Sequence, residues 1–351
     1  MIELDGAAGE GGGQIVRIAL ALSALTGQPF RITRIRAGRR KPGLKAQHLT
    51  AVRALEKLCG AVAEGATLGS AELTFIPGPL TGRTVAVDIG TAGSIPLLLQ
   101  AILLPALGAP DRVRLKLTGG TDVPASMPWD YFERVCLPIY RCLGDISTTL
   151  GQRGHYPAGG GHVEVVVRPA TGGGLRSGEG GCEAPPIELR ERGALLEIRG
   201  VSFCSEALRR QLVAERQATG ARHALSHLGV PVRIERQYGR TESIGTGIVL
   251  VAIFERVSAV GADALGEISK RAEEVGREAA LKLLAELEAG AVVDRHAVDT
   301  VLPLLALTGG ALRTSEVTSH AATSLETVRH FLALDVVVEG AVIELHPRRS
   351  P

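Results

Sequence analysis

Residues 5–55 decide the fold, and they read DGAAGEGGGQIVRIALALSALTGQPFRITRIRAGRRKPGLKAQHLTAVRAL. The Gly-rich loop GAAGEGGG leads into an apolar segment whose residues recur at helical spacing: Ile15, Ile18, Leu22 and Leu25. Gly27 is a residue type that commonly ends such a helix. The alternation in PFRITRIRAG predicts a strand, and a second helix is expected from about residue 45 to residue 58. This opening therefore predicts a small unit that contains strands and two helices.

The same plan recurs twice further along the chain. Residues 85–145 read as a strand, a Gly-rich turn, a buried helix, a strand and a helix. Residues 292–345 read as a helix, a strand over TSEVTS, a helix over SLETVRHFLAL and further strands. No unit of this size could bury its apolar faces alone, so the pattern predicts one internally repeated α/β domain.

A Gly-dense stretch, 151–195, comes after the second unit, and its one clear strand is HVEVVVRP. Residues 181–290 then read as a strand, a helix, two strands and a long helix. We therefore predict an α/β (α+β) protein in which three repeated small α/β units form a large domain. That domain is expected to comprise residues 1–180 and 291–351, with a smaller inserted α/β domain at 181–290.

Composition excludes several classes of protein. Hydrophobic residues make up 45% and charged residues 22%, which rules out a disordered chain. The net charge is only +2 and aromatic residues are 3%, so a nucleic-acid site must come from local clustering and not from a base-stacking platform. The apolar stretch 94–109 contains Gln100 and two prolines and is too short to cross a bilayer. We expect a cytoplasmic protein with no membrane partner.

The cysteines and the N-terminus agree with that location. No CxxC pair is present, which argues against a zinc knuckle, and an odd number of scattered cysteines argues against a secreted disulfide scaffold. The N-terminal segment does not read as a signal peptide. The five cysteines are Cys59, Cys136, Cys142, Cys182 and Cys204.

The loop GEGGGQ (9–14) meets the start of a helix, where free amides favour an anion. It lacks the GK[ST] ending of a P-loop, so a Walker-type NTPase is not indicated. A tight turn between strand and helix would explain the glycines equally well. However, Glu10 lies inside the loop and Arg17 follows on the first turns of the helix. A carboxylate among such amides favours a divalent metal that in turn binds phosphates.

The segment 31–45 carries a local charge of +7 in a chain of net charge +2. Its cations are Arg31, Arg34, Arg36, Arg39, Arg40, Lys41 and Lys45. Such a run is often a solvated surface. Because it directly follows the Gly-rich loop, a site for polyphosphate or a nucleic-acid backbone is at least as good an interpretation.

Histidines provide two further candidates. His320 lies in TSHAATSLETVRHF, where Thr323 and Glu326 fit a capping box, so we expect it in the connection between a strand and a helix. There an imidazole can act as a base, a ligand or a nucleophile, although a solvated loop histidine is the more ordinary explanation. His223 and His227 have the i, i+4 spacing of zinc ligands, but no HExxH glutamate and no third ligand accompany them.

Taken together, the motifs resemble those of the RNA 3′-terminal phosphate cyclase family. The resemblance rests on the opening run 5–55 and on five later segments in the family's order, and it covers nearly the whole chain. The later segments are IGTAGSIPLLLQAILLPAL (89–107), GGTDVP (119–124), YPAGGG (156–161), ERVSAVGADALGEISKRAEEVGREAA (255–280) and TSHAAT (318–323).

The resemblance implies both a fold and a reaction. The fold is three repeats of a small α/β unit with one inserted α/β domain, which agrees with the repeat found above. The reaction uses ATP to convert an RNA 3′-phosphate end into a 2′,3′-cyclic phosphate. A histidine takes AMP from ATP, AMP passes to the RNA 3′-phosphate, and the neighbouring 2′-OH closes the ring and expels AMP. The partners would be ATP and RNA with a 3′-phosphate end, and a homodimer is left open.

The family pattern also implies roles for particular residues. The nucleophile falls on His320, and the metal-binding glutamate, for Mg²⁺ or Mn²⁺, falls on Glu10. The positions that bind phosphate and RNA are Arg17, Arg36, Arg39 and Gln47. The ATP pocket falls on Gln100, His296, Ala297, Val298, Asp299 and Thr300, among which Asp299 fits the pattern best.

The chain departs from the family pattern at three positions. A tyrosine is usual where His296 stands, a glutamine is common at Thr300, and an asparagine is common where Ser324 stands. These departures concern the shape of the adenine pocket and the choice of nucleotide.

Two other functions remain as alternatives. The family includes catalytically silent relatives that act in ribosome assembly, but these lack the histidine that this chain has at position 320. Enolpyruvyl transferases use a similar repeated unit, although the inserted domain and the TSHAAT motif argue against that class.

Overall fold

The structure, a computed structural model, describes residues 1–170, 175 and 184–348. Its first unit is a four-stranded sheet in the order β1-β2-β4-β3, with two helices. Strands β1 and β2 are parallel and the other pairs are antiparallel. The elements are β1 (Ile2–Asp5), α1 (Gly13–Thr26), β2 (Phe30–Thr33), α2 (Ala46–Cys59), β3 (Val62–Glu64) and β4 (Leu73–Ile76). As predicted, α1 ends at Gly27, which has a φ of 74° and donates its N–H to the carbonyl of Ser23.

The second unit repeats this topology, with the strand order β5-β6-β8-β7 and a parallel first pair. Its elements are β5 (Thr84–Asp88), α3 (Ile95–Leu107), β6 (Val113–Gly119), α4 (Trp129–Tyr131), a π-helical turn (Phe132–Cys136), α5 (Leu137–Tyr140), β7 (Gly144–Gln152) and β8 (Gly161–Pro169). Helix α3 is almost entirely buried, as its apolar sequence predicts. The helix expected over residues 129–144 is present but consists of several short turns.

After β9 (Ile187–Leu189) the chain forms a separate sheet in the order β11-β10-β12-β13. Its elements are β10 (Leu195–Ser205), α6 (Val213–Leu225), β11 (Val232–Gly239), β12 (Thr246–Phe254), β13 (Gly261–Leu265) and α7 (Ala272–Glu288). Helices α6 and α7 pack very closely. A Cβ at Gly276 on α7 would lie only 1.9 Å from the carbonyl oxygen of Gln217 on α6, so a residue larger than glycine does not fit there. These elements bury an apolar cluster of their own on one side of the sheet.

The third unit has the same strand order again, β9-β14-β16-β15, and again its first pair is parallel. The remaining elements are α8 (Val298–Thr308), β14 (Gly310–Arg313), α9 (Ser319–Arg329), β15 (Leu334–Glu339) and β16 (Val342–Pro347). Strand β9 falls inside the range expected for the inserted domain, 181–290, yet it pairs with β14 of the third unit. The sheet of the insertion begins only at Leu195.

Two local predictions for this unit were wrong. The strand expected over TSEVTS (314–319) lies earlier, at Gly310–Arg313, and residues 315–318 form no regular element. Helix α9 begins at Ser319 because the Thr318 side chain caps it by accepting the N–H of Ala321. The hydroxyl of Thr323, expected to form the cap, instead donates to the Ser319 carbonyl within the helix.

The observed architecture confirms the predicted mixed α/β fold. The described residues form four four-stranded sheets, of which three share one topology. One large apolar cluster runs through all three repeated units and includes much of α1, α3 and α8. In the part of the chain that is described, no helix combines the length and the apolar character needed to cross a membrane.

Candidate active site

A cleft of about 1150 Å³ lies between the repeated units and the inserted unit. One wall is formed by the N-terminal turns of α1, α2, α3, α8 and α9. The opposite wall is formed by residues 244–246 and 265–268 of the inserted unit and by side chains of α7. Helix N-termini present free amides and a partial positive charge, so this convergence suits a polyanionic ligand.

The Gly-rich loop reaches this cleft because its glycines allow close contact with other elements. Gly9 and Gly11 both have a φ of 55°, a backbone conformation that favours glycine. A Cβ at Gly9 would lie 2.3 Å from the Thr323 hydroxyl, so α9 can approach the loop only if this residue is glycine. The loop thereby places Glu10 directly beside the first turn of α9.

Glu10 and His320 are in contact with each other. The Nε2 atom of His320 lies 2.9 Å from Oε2 of Glu10, and the other oxygen of Glu10 accepts the hydroxyl of Ser319. The Nη2 atom of Arg39 lies 3.4 Å from the Glu10 carboxylate. The hydrogen bond from Ser319, together with the charges of His320 and Arg39, lowers the pKa of Glu10. The carboxylate is therefore ionised at neutral pH.

The other ring nitrogen of His320 has a separate partner. Its Nδ1 atom lies 2.7 Å from Oε1 of Gln14 on α1. The amide nitrogen of Gln14 donates to the backbone carbonyl of His320 and to the hydroxyl of Ser324, which leaves Oε1 as the acceptor. Nδ1 therefore carries a proton, and Nε2 is the ring nitrogen that lies beside Glu10. Contrary to our expectation, His320 lies in the first turn of α9 and not in a loop.

Arg17, Gln100 and Thr300 form a hydrogen-bonded chain that joins all three repeated units. Nε of Arg17 donates to Gln100 over 2.8 Å, and Gln100 donates to the Thr300 hydroxyl over 2.8 Å. Burial lowers the pKa of Arg17 to about 10, so it remains charged at neutral pH. Burial also raises the pKa of Asp299 to about 7, against the attraction of Arg17. Asp299 lies 3.9 Å from Nδ1 of His320.

The run 296–300 is divided between the cleft and the core. His296 and Asp299 line the cleft, whereas Ala297, Val298 and Thr300 are buried in the start of α8. The Oδ1 atom of Asp299 is buried and has no hydrogen-bond partner within the described residues. It is therefore an acceptor available to a ligand.

The basic segment 31–45 is also divided. Arg31 pairs with Glu72 and Arg34 with Asp5, both on the protein surface, so these two cations do not contribute to the cleft. Three residues of the segment line the cleft: Arg36, Arg39 and Lys45. Three residues from outside the segment line it as well: Arg17, Gln47 and His48. This group therefore brings the positive charges of Arg17, Arg36, Arg39 and Lys45 to the cleft.

Two of these cations differ in what they contact. Nη1 of the buried Arg36 donates to the carbonyls of Lys41 and Gly43, which fixes the shape of the basic loop. Arg39 is exposed, and its guanidinium reaches only the carboxylate of Glu10 among the hydrogen bonds formed by described residues. Gln47 accepts the backbone N–H of Ser94 over 3.2 Å.

Four residues that help to build the site have no role predicted from the sequence: Gln14, His48, Ser319 and Asp294. The carboxylate of Asp294 accepts the Tyr131 hydroxyl and three backbone N–H groups, those of Gly261, His296 and Ala297. Burial raises its pKa to about 7, although these hydrogen bonds favour the charged form. An aspartate shortly before an apolar helix is a capping signal that could have identified Asp294. No comparable local signal identifies Gln14 or His48.

The remaining candidates lie away from the cleft. His223 and His227 are exposed on α6 and the turn after it, and the described residues contain no group of three or more metal-ligating side chains arranged around a common point. Cys59, Cys136 and Cys204 are buried, and Cys142 is exposed. Cys182 lies outside the described residues.

Comparison with known proteins identifies the family of this chain. The model of the family described as RNA 3′-terminal phosphate cyclase matches residues 8–338. The chain therefore belongs to the RNA 3′-terminal phosphate cyclase family, as the sequence motifs predicted. This is a family of RNA-acting enzymes by its name.

Curated relatives have the same name, and they match this chain over nearly their whole length. The RNA 3′-terminal phosphate cyclase of Pyrococcus furiosus is 44% identical over 345 residues, which cover 98% of this chain and 97% of the relative. The protein of that name from Saccharolobus solfataricus is 45% identical over 97% of both chains. The one from Ignicoccus hospitalis is 45% identical over 97% of this chain and 95% of its own.

Proposed function

We propose that this protein is an ATP-dependent RNA 3′-phosphate cyclase in which His320 is the nucleophile. The observation that carries the proposal is the geometry of His320. Gln14 holds its Nδ1 atom, Nε2 lies beside the Glu10 carboxylate, and the residue lines a cleft built from helix N-termini and arginines. A nitrogen so oriented can attack a phosphorus atom whose charges are neutralised by its surroundings.

The reaction would proceed in three displacements. Nε2 of His320 attacks the α-phosphorus of ATP, so that a P–N bond forms and pyrophosphate leaves. An oxygen of the RNA 3′-phosphate then attacks the same phosphorus, which breaks the P–N bond and frees His320. Finally the adjacent 2′-oxygen, having lost its proton, attacks the RNA phosphorus, and AMP leaves. A phosphomonoester lacks a good leaving group, and adenylylation supplies one.

Residues around His320 would support these steps in different ways. Gln14 keeps the ring oriented with its proton on Nδ1. Arg17 and Arg39 would neutralise phosphate oxygens on either side of the imidazole. Asp299, with its unpartnered buried oxygen, would accept a hydroxyl of the ATP ribose, beside Gln100 and His296. We propose Arg36, Arg39, Lys45 and Gln47, which line the cleft, as the binding side for RNA.

Glu10 would bind the divalent cation, Mg²⁺ or Mn²⁺. A single ionised carboxylate fits such a site, because Mg²⁺ is commonly bound by one or two carboxylates together with substrate phosphates. When bound, the cation would neutralise charge on the phosphates of ATP. The Glu10 carboxylate lies 2.9 Å from Nε2 of His320, so engagement of Glu10 elsewhere would also free the nucleophilic nitrogen.

The test is to incubate the protein with ATP labelled at the α-phosphorus and with Mg²⁺ or Mn²⁺, but without RNA. We expect covalent label that is lost in acid and retained in alkali, as for a phosphoramidate. Addition of RNA with a 3′-phosphate should then release the label as AMP and convert the RNA end into a 2′,3′-cyclic phosphate. His320→Asn should take up no label while its circular dichroism spectrum remains that of the wild type. His330→Asn, which changes an exposed histidine outside the cleft, serves as the matched control.

Two results would contradict the proposal. Label retained on His320→Asn would show that another residue is the nucleophile. A wild-type protein that takes up no label with either metal would point instead to a catalytically silent RNA-binding relative.

A further inference from the structure

A second histidine, His48, lies buried beneath the N-terminus of α1 and is only 2% exposed. It belongs to the first turn of α2, where its Nδ1 atom accepts the backbone N–H of Lys45 over 3.1 Å. Since Nδ1 is an acceptor, the single proton of a neutral ring must be on Nε2. Nε2 is buried and has no hydrogen-bond partner among residues 1–170, 175 and 184–348.

The surroundings of His48 keep the ring neutral. Burial, together with the positive charges of Arg17, Arg36 and Lys45, lowers its pKa to about 3. The same cations make the position unsuitable for a metal ion. The ring therefore presents one buried, unused N–H donor within a group of cations, and such a donor normally has a partner.

Gly13, the first residue of α1, lies against this donor. A Cβ at Gly13 would lie 2.3 Å from Nε2 of His48 and 3.3 Å from Nη1 of Arg17. Both donors thus lie against the N-terminus of a 14-residue helix whose N-cap residue, Gly12, provides no side-chain cap. The free amides, the guanidinium and the imidazole N–H all suit one anion.

We propose that Nε2–H of His48 donates a hydrogen bond to a phosphate oxygen bound at the N-terminus of α1, beside Arg17. The phosphate belongs to ATP, as part of the departing pyrophosphate, or to the 3′ end of RNA. This inference deepens the proposed function and rests on it for the source of the phosphate. The neutral imidazole adds no charge to a site that already contains several cations. Its hydrogen bond instead orients the phosphate, because it fixes which phosphate oxygen faces α1.

Two substitutions separate ligand binding from a structural role. In His48→Asn, the side-chain oxygen can still accept the Lys45 N–H, while the distal donor is lost. In His48→Gln, the amide can reach the position of Nε2 and retains a donor there. If His48 has only a structural role, His48→Asn should be closer to the wild type than His48→Gln. If His48 binds phosphate, His48→Gln should retain more anion binding than His48→Asn.

Binding of inorganic pyrophosphate and inorganic phosphate is measured by isothermal titration calorimetry on the full-length protein, with thermal melts in parallel. We expect His48→Asn to weaken binding of one of these anions by about 5- to 100-fold, the effect of one buried hydrogen bond. Its melting temperature should stay close to that of the wild type. His48→Gln should bind within about 3-fold of the wild type, since the donor is retained.

Two activity measurements then identify the source of the phosphate. Slower uptake of label from ATP, with normal transfer to RNA, indicates a phosphate of ATP. Normal uptake, with slower transfer from the labelled enzyme to a 3′-phosphate RNA, indicates the RNA end. Either result supports the inference.

Three results would overturn it. The first is that His48→Asn binds the anions as tightly as the wild type does. The second is that the wild type binds neither anion. The third is that both variants lose binding and also melt at a lower temperature. Failure of the wild type to take up label would overturn the proposed function alone, since the binding of inorganic anions tests His48 independently.

Discussion

The Nδ1 atom of His320 lies 2.7 Å from Oε1 of Gln14, although 306 positions separate these residues in the chain. The contact joins the first turns of two helices, α1 of the first repeated unit and α9 of the third. It fixes the tautomer of the imidazole, because the amide nitrogen of Gln14 is already engaged with the His320 carbonyl and with Ser324. The reactivity of His320 therefore depends on how two distant units pack together.

Removal of this contact should slow adenylylation without unfolding the protein. In Gln14→Leu the imidazole loses the acceptor at Nδ1, so both its orientation and its tautomer become variable. We expect the rate of label uptake from ATP to fall by about 10- to 100-fold, as for other small misplacements of reacting groups. The measurement is single-turnover labelling of the enzyme.

Ser324→Ala is the matched control, since it removes one contact of Gln14 and leaves Oε1 in place. It should reduce the rate less than Gln14→Leu does. Equal rates for Gln14→Leu and the wild type would mean that the ring needs no orienting acceptor.

Two arginines of the basic segment should respond differently to truncation. Arg36 is buried and donates to two backbone carbonyls, so Arg36→Ala should lower the free energy of unfolding by about 1–3 kcal/mol. Arg39 is exposed and near Glu10, so Arg39→Ala should change the stability by less than about 0.5 kcal/mol. Its effect should instead appear as weaker use of ATP or RNA.

Urea unfolding together with cyclisation kinetics distinguishes the two roles. Normal kinetics for Arg39→Ala would assign Arg39 to a solvated surface. An unchanged midpoint for Arg36→Ala would show that the carbonyls of the basic loop do not need this guanidinium.

Much of the fold could be predicted because its signals are local. The apolar spacing of α1, its glycine end at position 27 and the alternation of β2 each depend on residues within a few positions of one another. The repeat of this pattern then predicted three similar units. The strand over TSEVTS was misplaced because β-branched residues favour strands, whereas the Thr318 side chain caps α9, so that a helix begins at Ser319.

The parts that could not be predicted depend on packing between units. The pairing of β9 with β14 spans the whole inserted sheet, so no local pattern reveals it. Gln14 and His48 have ordinary helical surroundings in the sequence, and their roles arise only where α1, α2 and α9 meet. His320 and Glu10 were candidates from their local sequence, and the family resemblance then implied their roles as nucleophile and metal ligand.

Asp294 should be important for stability, because it links three parts of the protein. Its carboxylate accepts hydrogen bonds from Tyr131 of the second unit, Gly261 of the insertion and two amides at the start of α8. Asp294→Asn replaces one accepting oxygen by an NH₂ group that faces buried donors. We expect the free energy of unfolding to fall by about 2–4 kcal/mol in urea titrations.

Asp335→Asn provides the control, since Asp335 is an exposed carboxylate paired with Arg348. That change should cost less than about 1 kcal/mol, as is usual for surface ion pairs. Similar losses in the two variants would argue that the hydrogen bonds of Asp294 are not required.

The pH dependence of stability should reveal Asp263, a carboxyl on β13 that faces the cleft. Burial raises its pKa to about 6 against the charge of Lys282, and the negative charges of Asp122 and Glu278 add to the rise. The folded protein therefore binds this proton more tightly than the unfolded chain does, because an aspartate in the unfolded chain has a pKa of about 3.9. The stabilisation is complete below pH of about 4 and is lost as the pH rises through about 6. Asp263→Asn removes this titration and retains the shape of the side chain.

Urea unfolding of both proteins at pH 5 and pH 8 measures this effect. We expect the wild type to lose on the order of 1–2 kcal/mol relative to Asp263→Asn between the two pH values, because only the wild type must ionise a buried carboxyl. Parallel stability curves would mean that Asp263 is already ionised at pH 5 and that Lys282 outweighs the burial. In that case the charge of Lys282 would stabilise the wall of the cleft, and Lys282→Met should then lower stability more at pH 8 than at pH 5.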